Sequence, residues 1–186
     1  SGAMKALAWY SDRDPAKMRQ VLDGLGASAS NSVVDTLRAW TWVQETKPQS
    51  LLVNGDFEDT GENVDRPEKD WQTTGAPRGW STWSRNPSRT RFEMIGGKGR
   101  NGSVAAAITG ADSGVFIQDH KVRPGEKYLV IAWAKPEPAA EPYGVTLSVR
   151  FRDEKGAWHA RRDLEPTVTA AGENWQPLVV LVTVPE

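Results

Sequence analysis

Residues 145–152 alternate apolar and polar side chains at every step. Successive side chains of an extended chain point to opposite faces. Val145, Leu147, Val149 and Phe151 therefore fall on one side, and Thr146, Ser148, Arg150 and Arg152 on the other. The second side can do recognition chemistry. Arginine presents a planar fork of donors that suits paired sugar hydroxyls or the carboxylate of an acidic sugar, and Ser148 adds a hydroxyl. The plainer alternative is a solvated polar face. Asp153-Glu154-Lys155-Gly156 reads as a hairpin turn, so Trp158 and His159, which follow it, can flank that face. Trp83 lies three residues after Trp80, and in an extended segment their rings point to opposite sides. The chain holds nine tryptophans. Core packing is the default use of so large a ring; a flat electron-rich ring is also a platform for the C–H face of a pyranose.

Catalytic chemistry has little support. There are no cysteines, which removes disulfides, thiolate nucleophiles and cysteine–metal sites together. The two histidines, His120 and His159, are far apart in sequence and show no metal-ligand spacing. Carboxylates are plentiful, but none sits in a recognisable catalytic motif, and no Gly-x-Ser-x-Gly nucleophile elbow occurs. The glycine-rich stretch 96–102 lacks the Gly-Lys-Ser/Thr of a phosphate loop and reads as a turn before a strand. The chain is not expected to be an enzyme. With 23 basic and 24 acidic residues and a net charge of −1, it offers no electrostatic case for nucleic acid or an anionic membrane. No apolar run approaches the length that crosses a bilayer.

The elements that must position these residues divide near Pro48. Ser1-Gly2-Ala3-Met4 looks like an expression scar. Residues 5–48 read as helical. Asp14-Pro15 is an N-cap followed by a first-turn proline. Met18, Val21, Leu22 and Leu25 then form one apolar stripe, and Gly24 and Gly26 can end the helix. Ser30 or Asn31 can cap a second helix carrying Val33, Val34, Leu37, Trp40 and Val43, which Pro48 stops. From residue 49 on, short strands alternate with turn residues, an all-β pattern. Residues 59–79 form a polar loop around Trp71, and the proline-rich 136–142 joins two strands. Segments 128–135 and 178–184 are apolar on both faces, so both faces need cover. One cover is a second sheet. The other is expected to be the helices, with Met18, Leu22, Leu37 and Trp40 against Leu129, Ile131, Trp133, Val179 and Leu181. The alternative is that the helices are the remnant of an upstream domain.

An ordered series of short motifs runs through residues 50–185: Asn54-Gly55-Asp56-Phe57-Glu58, Pro77-Arg78-Gly79-Trp80, the glycine-rich 96–103, Val115-Phe116-Ile117-Gln118, Arg123 to Tyr128, 145–151, and Trp175 to Pro185. The series resembles the β-sandwich carbohydrate-binding modules of families four, nine and twenty-two. The resemblance implies an all-β jelly-roll sandwich of the galactose-binding-like kind over 49–186, preceded by the two-helix segment and lacking its last strand. It places Trp80 in the core, which leaves Trp83 facing outward, and puts Gln118 where a polar strand residue commonly faces the groove. It also implies a structural calcium held by Asp56 and Glu58, with carbonyls of the 99–103 turn nearby; the alternative for these two carboxylates is a turn or capping pair.

The function expected is that of a non-catalytic carbohydrate-binding module of a polysaccharide-active enzyme, secreted, periplasmic or on the cell surface. It would bind an oligo- or polysaccharide through Trp83, Gln118, Ser148, Arg150, Arg152 and Trp158. The alternative is a structural domain with no ligand of its own that braces a neighbouring domain of a glycoside hydrolase.

Overall fold

A computed structural model describes residues 14–26, 32–61, 75–137, 144–160, 167–170 and 174–186. The expected scar at 1–4, the cap at Ser30 or Asn31, Trp71 and most of the proline-rich connector lie outside the described residues. The chain forms two compact units, Ser1–Pro48 with Val122–Glu186, and Gln49–Lys121. The division between the units thus falls after Pro48 and again after Lys121. Two helices and four two-stranded antiparallel ladders make up the described residues, a sheet-rich fold in which no ladder closes into a barrel.

In the first unit, helix α1 (Pro15–Gly24) begins where its sequence says it should. Asp14 is extended, its carboxylate accepts the Lys17 N–H at 3.1 Å, and Pro15 fills the first helical position without wasting a donor. The helix ends at Gly26, whose φ of +75° is the left-handed conformation that favours glycine. Helix α2 (Ser32–Thr46) follows, with Lys47 at φ +45° closing it one residue before Pro48. Arg19 of α1 pairs with Glu45 of α2. This exposed pair adds little. The apolar stripe holds the helices in place.

That stripe packs on a ribbon made by β5 (Lys127–Ala134) and β8 (Gln176–Thr183). The strands pair antiparallel from Lys127 opposite Thr183 to Ala134 opposite Gln176. Met18, Leu22, Val34, Leu37 and Trp40 are buried in one cluster, against Leu129, Ile131, Trp133 and Val179. All four ribbon residues are odd-numbered and so share a face. The even-numbered face buries Leu178, Val180, Val182 and Ala134. At Ala132, Ala134 and Leu178 it meets Ala170 and Leu147 of a second ladder, β6 (Val145–Ser148) with β7 (Thr167–Ala170). Val33 departs from the expected helical stripe: it is 44 % exposed, because it precedes Val34 and so points off the buried side.

The second unit contains β1 (Ser81–Ser84) paired with β4 (Gly114–Ile117), and β2 (Arg91–Ile95) paired with β3 (Ala105–Thr109). Its core includes a run of rings. Phe57 lies 4.8 Å from Trp80 and 5.9 Å from Phe116, which meets Phe92 edge-on at 5.1 Å. Such offset and edge-on arrangements are the favoured ones for aromatic pairs. The buried side of β1 is polar: Thr82 and Ser84 are buried, and Ser84 is hydrogen-bonded to Thr90, which in turn donates to the Asn86 carbonyl. The glycine-rich stretch is a turn. Gly97, Asn101 and Gly102 all have positive φ, and Gly99 has no room for a Cβ beside Ser103 and Val104.

Truncating a side chain of the helix–ribbon cluster removes both transfer energy and packing. Trp40→Ala should cost about 3–5 kcal/mol and Leu22→Ala about 2–5 kcal/mol, whereas Val33→Ala should stay within about 0.5 kcal/mol. Urea midpoints of the three variants check this ordering. At the mouth of the ribbon, Glu126 accepts from the Tyr128 hydroxyl and the Arg123 N–H, which hold its carboxyl below the ordinary range. Asp14 is lowered likewise, chiefly by the Lys17 N–H. Both groups have depressed folded pKa values. Their contribution is therefore complete above the ordinary carboxylate range and is lost as pH falls from that range down through their lower folded pKa values. Glu126→Gln should flatten the fall in melting temperature over that window.

Candidate functional site

The residues expected to bind fall into two sets, one in each unit. Ser148, Arg150, Arg152 and Trp158 belong to the first. The β6 ladder stops at Ser148, short of the strand expected to run to residue 152, and the chain then pairs with its own return. The reason is local. Asp153 Oδ1 accepts the N–H groups of Lys155 and Ala157 at 2.9 and 2.8 Å, and Gly156 takes φ +82°. Together these close a tight hairpin. The Asp153 N–H donates to the Ala157 carbonyl and the His159 N–H to the Phe151 carbonyl, both at 2.9 Å. Arg152 forms an antiparallel bridge with Trp158.

Exposure alternates from Thr146 to Arg152, whereas Val145, expected on the dry face, is exposed at the start of the strand. Ser148, Arg150 and Arg152 are exposed while Leu147, Val149 and Phe151 are half-buried. Leu147 packs toward Ala134 and Leu178, so burial of one side of β6 is what turns the other outward. The hairpin brings three of the expected residues together. The Arg150 guanidinium carbon sits 3.9 Å from the centre of the Trp158 ring system and that of Arg152 sits 5.3 Å from it, while the indole remains 49 % exposed. Stacking of this kind is worth about 0.5–1 kcal/mol at an exposed site.

Trp83 and Gln118 belong to the second unit. Trp83 is half-buried in β1 opposite Val115, on the side away from Thr82 and Ser84. Gln118 has a bonding role that its sequence position does not reveal. Its amide oxygen accepts the Val53 N–H at 2.9 Å, and its amide nitrogen donates to the carbonyls of Val53 and Gly79 at 2.8 and 2.9 Å. His120 Nε2 lies 2.6 Å from the same oxygen. The amide thus copies a strand neighbour for Val53 and ties two motifs to a third.

Asn54 is the residue that sequence reasoning passed over. Its backbone is left-handed, at φ +48°. Its side-chain nitrogen donates to the carbonyls of Asp59 and Arg78, and its side-chain oxygen accepts the Asp59 N–H at 3.0 Å. Its own carbonyl accepts the Trp80 indole N–H at 3.0 Å. Arg78 and Asp59 add an ion pair at 2.9 Å. The pentapeptide and the Pro77–Trp80 motif are therefore one hydrogen-bonded knot. Asparagine tolerates left-handed backbone and bonds locally, so Asn-Gly was the available signal.

Asp56 and Glu58 each make a hydrogen bond to the backbone. Glu58 Oε1 accepts the Val104 N–H at 2.9 Å, and Asp56 Oδ1 receives the Glu58 N–H at 3.4 Å. Calcium takes six to eight oxygens, and no group of three or more acidic, histidine or cysteine side chains gathers among the described residues. Glu58 thus sits beside the 99–104 turn and accepts an N–H from its end.

Asn54→Ala should destabilise the protein by about 2–4 kcal/mol, from unmet polar groups and from a left-handed alanine. Gln118→Ala should cost about 1–3 kcal/mol and leave any glycan binding intact, since its amide is committed to backbone. Chemical denaturation gives the first figure, and binding assays on the second variant separate an architectural glutamine from a ligand contact. No protein-family model, curated protein or solved structure matches the chain.

Proposed function

We propose that the protein is a non-catalytic carbohydrate-binding module, working outside the cytoplasm as the accessory of a polysaccharide-active enzyme. In this reading its ladders belong to a jelly-roll sandwich of the kind found in families four, nine and twenty-two. The observation that carries the reading is the half-exposed Trp158 with Arg150 stacked on it, beside Arg152 and Ser148, on a hairpin braced by Asp153. A sugar needs a flat apolar surface for its C–H face and donors at the rim for its hydroxyls. In this reading the exposed part of the Trp158 ring takes the first role, with Ser148 and the arginines on the same turn. Hydroxyl contacts replace contacts with water, so a single site should bind on the order of micromolar to millimolar.

A second reading is a bracing domain without a ligand. The observation that favours it is Gln118, whose amide is bonded to Val53 and Gly79 instead of being held for a guest. Affinity gel electrophoresis over a panel of neutral and acidic polysaccharides distinguishes the two. The binding reading expects retention on at least one glycan, loss of retention in Trp158→Ala, and no change in Trp83→Ala. Loss in Trp83→Ala alone moves the site to the second unit. Retention by no glycan removes the binding role and leaves the bracing one.

A further inference from the structure

The sequence contains two Asn-Gly pairs, Asn54-Gly55 and Asn101-Gly102. In such a pair the glycine nitrogen can attack the asparagine side-chain carbonyl, because the following residue has no Cβ to stand in the way. The asparagine is left-handed in both, at φ +48° and +62°, so the backbone angle does not separate them. Their surroundings do. The Asn54 amide is tied on both sides: it donates to the carbonyls of Asp59 and Arg78 and accepts the Asp59 N–H. Leu52 fills the space beside Gly55, where an added Cβ would come within 3.0 Å of the Leu52 Cβ. Asn101 is exposed, and its amide makes no hydrogen bond among the described residues. A Cβ placed on Gly102 would meet nothing within 4 Å. One contact restrains the attacking group there: the Gly102 N–H donates to the Gly99 carbonyl at 3.2 Å.

We propose that Asn101 is a site of spontaneous deamidation in the folded protein, and that Asn54 is protected from the same reaction by its hydrogen bonds. The Gly102 nitrogen gives its proton to solvent and forms a bond to Asn101 Cγ. The Cγ–Nδ2 bond breaks, and the side-chain nitrogen leaves as ammonia. Water then opens the resulting succinimide ring. Breaking the new bond between Cγ and the Gly102 nitrogen gives aspartate. Breaking the bond from the main-chain carbonyl carbon to that nitrogen gives isoaspartate, in which the chain runs through Cγ. One water enters, one ammonia leaves, and nothing is oxidised or reduced. Each event adds one negative charge to the formal −1 of the chain. At Asn54 three hydrogen bonds must break before the ring can close; at Asn101 only the Gly102–Gly99 contact must. Two further bonds of ordinary strength slow the reaction by about tenfold or more.

The test incubates the full chain at mildly alkaline pH, once folded and once in concentrated urea. Peptide mass spectrometry follows each pair through the mass gained when NH2 is replaced by OH, and isoelectric focusing follows the intact protein. In the folded chain Asn101 should convert at least about tenfold faster than Asn54. In urea the two rates should come together. Focusing should show one new acidic species that comigrates with Asn101→Asp, and that variant should gain none over the same period. The wild-type mapping stands on its own should the variant fold poorly. Conversion of Asn54 as fast as Asn101 in the folded chain overturns the assignment. So does a folded chain in which neither pair converts while both do in urea. A gap between the pairs that persists unchanged in urea also overturns it, since that gap would come from sequence neighbours and not from the fold.

Discussion

The β5–β8 ribbon carries apolar side chains on both faces, and a sheet of that kind stays folded only while both faces are covered. The odd-numbered face lies under the two helices, through Leu129, Ile131, Trp133 and Val179. The even-numbered face meets β6 and β7 through Ala132, Ala134 and Leu178. Fully burying one such side chain contributes about 1.5–3 kcal/mol, against a typical net stability of 5–15 kcal/mol for a whole domain. Neither cover is dispensable on that scale. The helices are part of the fold of this unit, as much as the strands they lie on.

The same constraint positions the candidate site. Leu147 is drawn down onto the ribbon, and the pleat then sends Ser148, Arg150 and Arg152 outward. The Asp153 turn brings Trp158 back alongside the arginines. Burial on one side of a strand thereby fixes the chemistry on the other, and the patch needs no dedicated pocket. In the second unit the polar residues have the opposite use. Asn54, Arg78, Glu58 and Gln118 hold loops together through backbone groups. A rich polar motif there is architecture.

Much of this was legible from residue order. Asp14-Pro15 announces a helix start because its chemistry is local. The double apolar pattern of 128–135 and 178–184 announces two covers, and the stripe Met18, Leu22, Leu37, Trp40 supplies a partner of the right shape. Alternation at 145–152 gave the correct outward residues, although the ladder itself stops at Ser148. What pattern reading missed depends on distant pairing. Gln118 and Val53 are 65 residues apart, and no local rule foretells that an amide will stand in for a strand. The division after Lys121 likewise depends on distant pairing: β5 finds β8 and the helices, and that decides which stretch joins which unit. The buried hydroxyl of Ser84 contradicts simple binary patterning, because it bonds to the Thr90 hydroxyl and accepts the Asn86 N–H in the turn that follows.

The most direct measurement is calorimetry of a chain lacking residues 1–47 beside the full chain, with a hydrophobic dye reporting exposed surface. If the ribbon depends on its helical cover, the shortened chain loses its cooperative transition, binds the dye and aggregates. A soluble truncation that melts as sharply and at the same temperature as the full chain would contradict the dependence of the whole arrangement on that covered face.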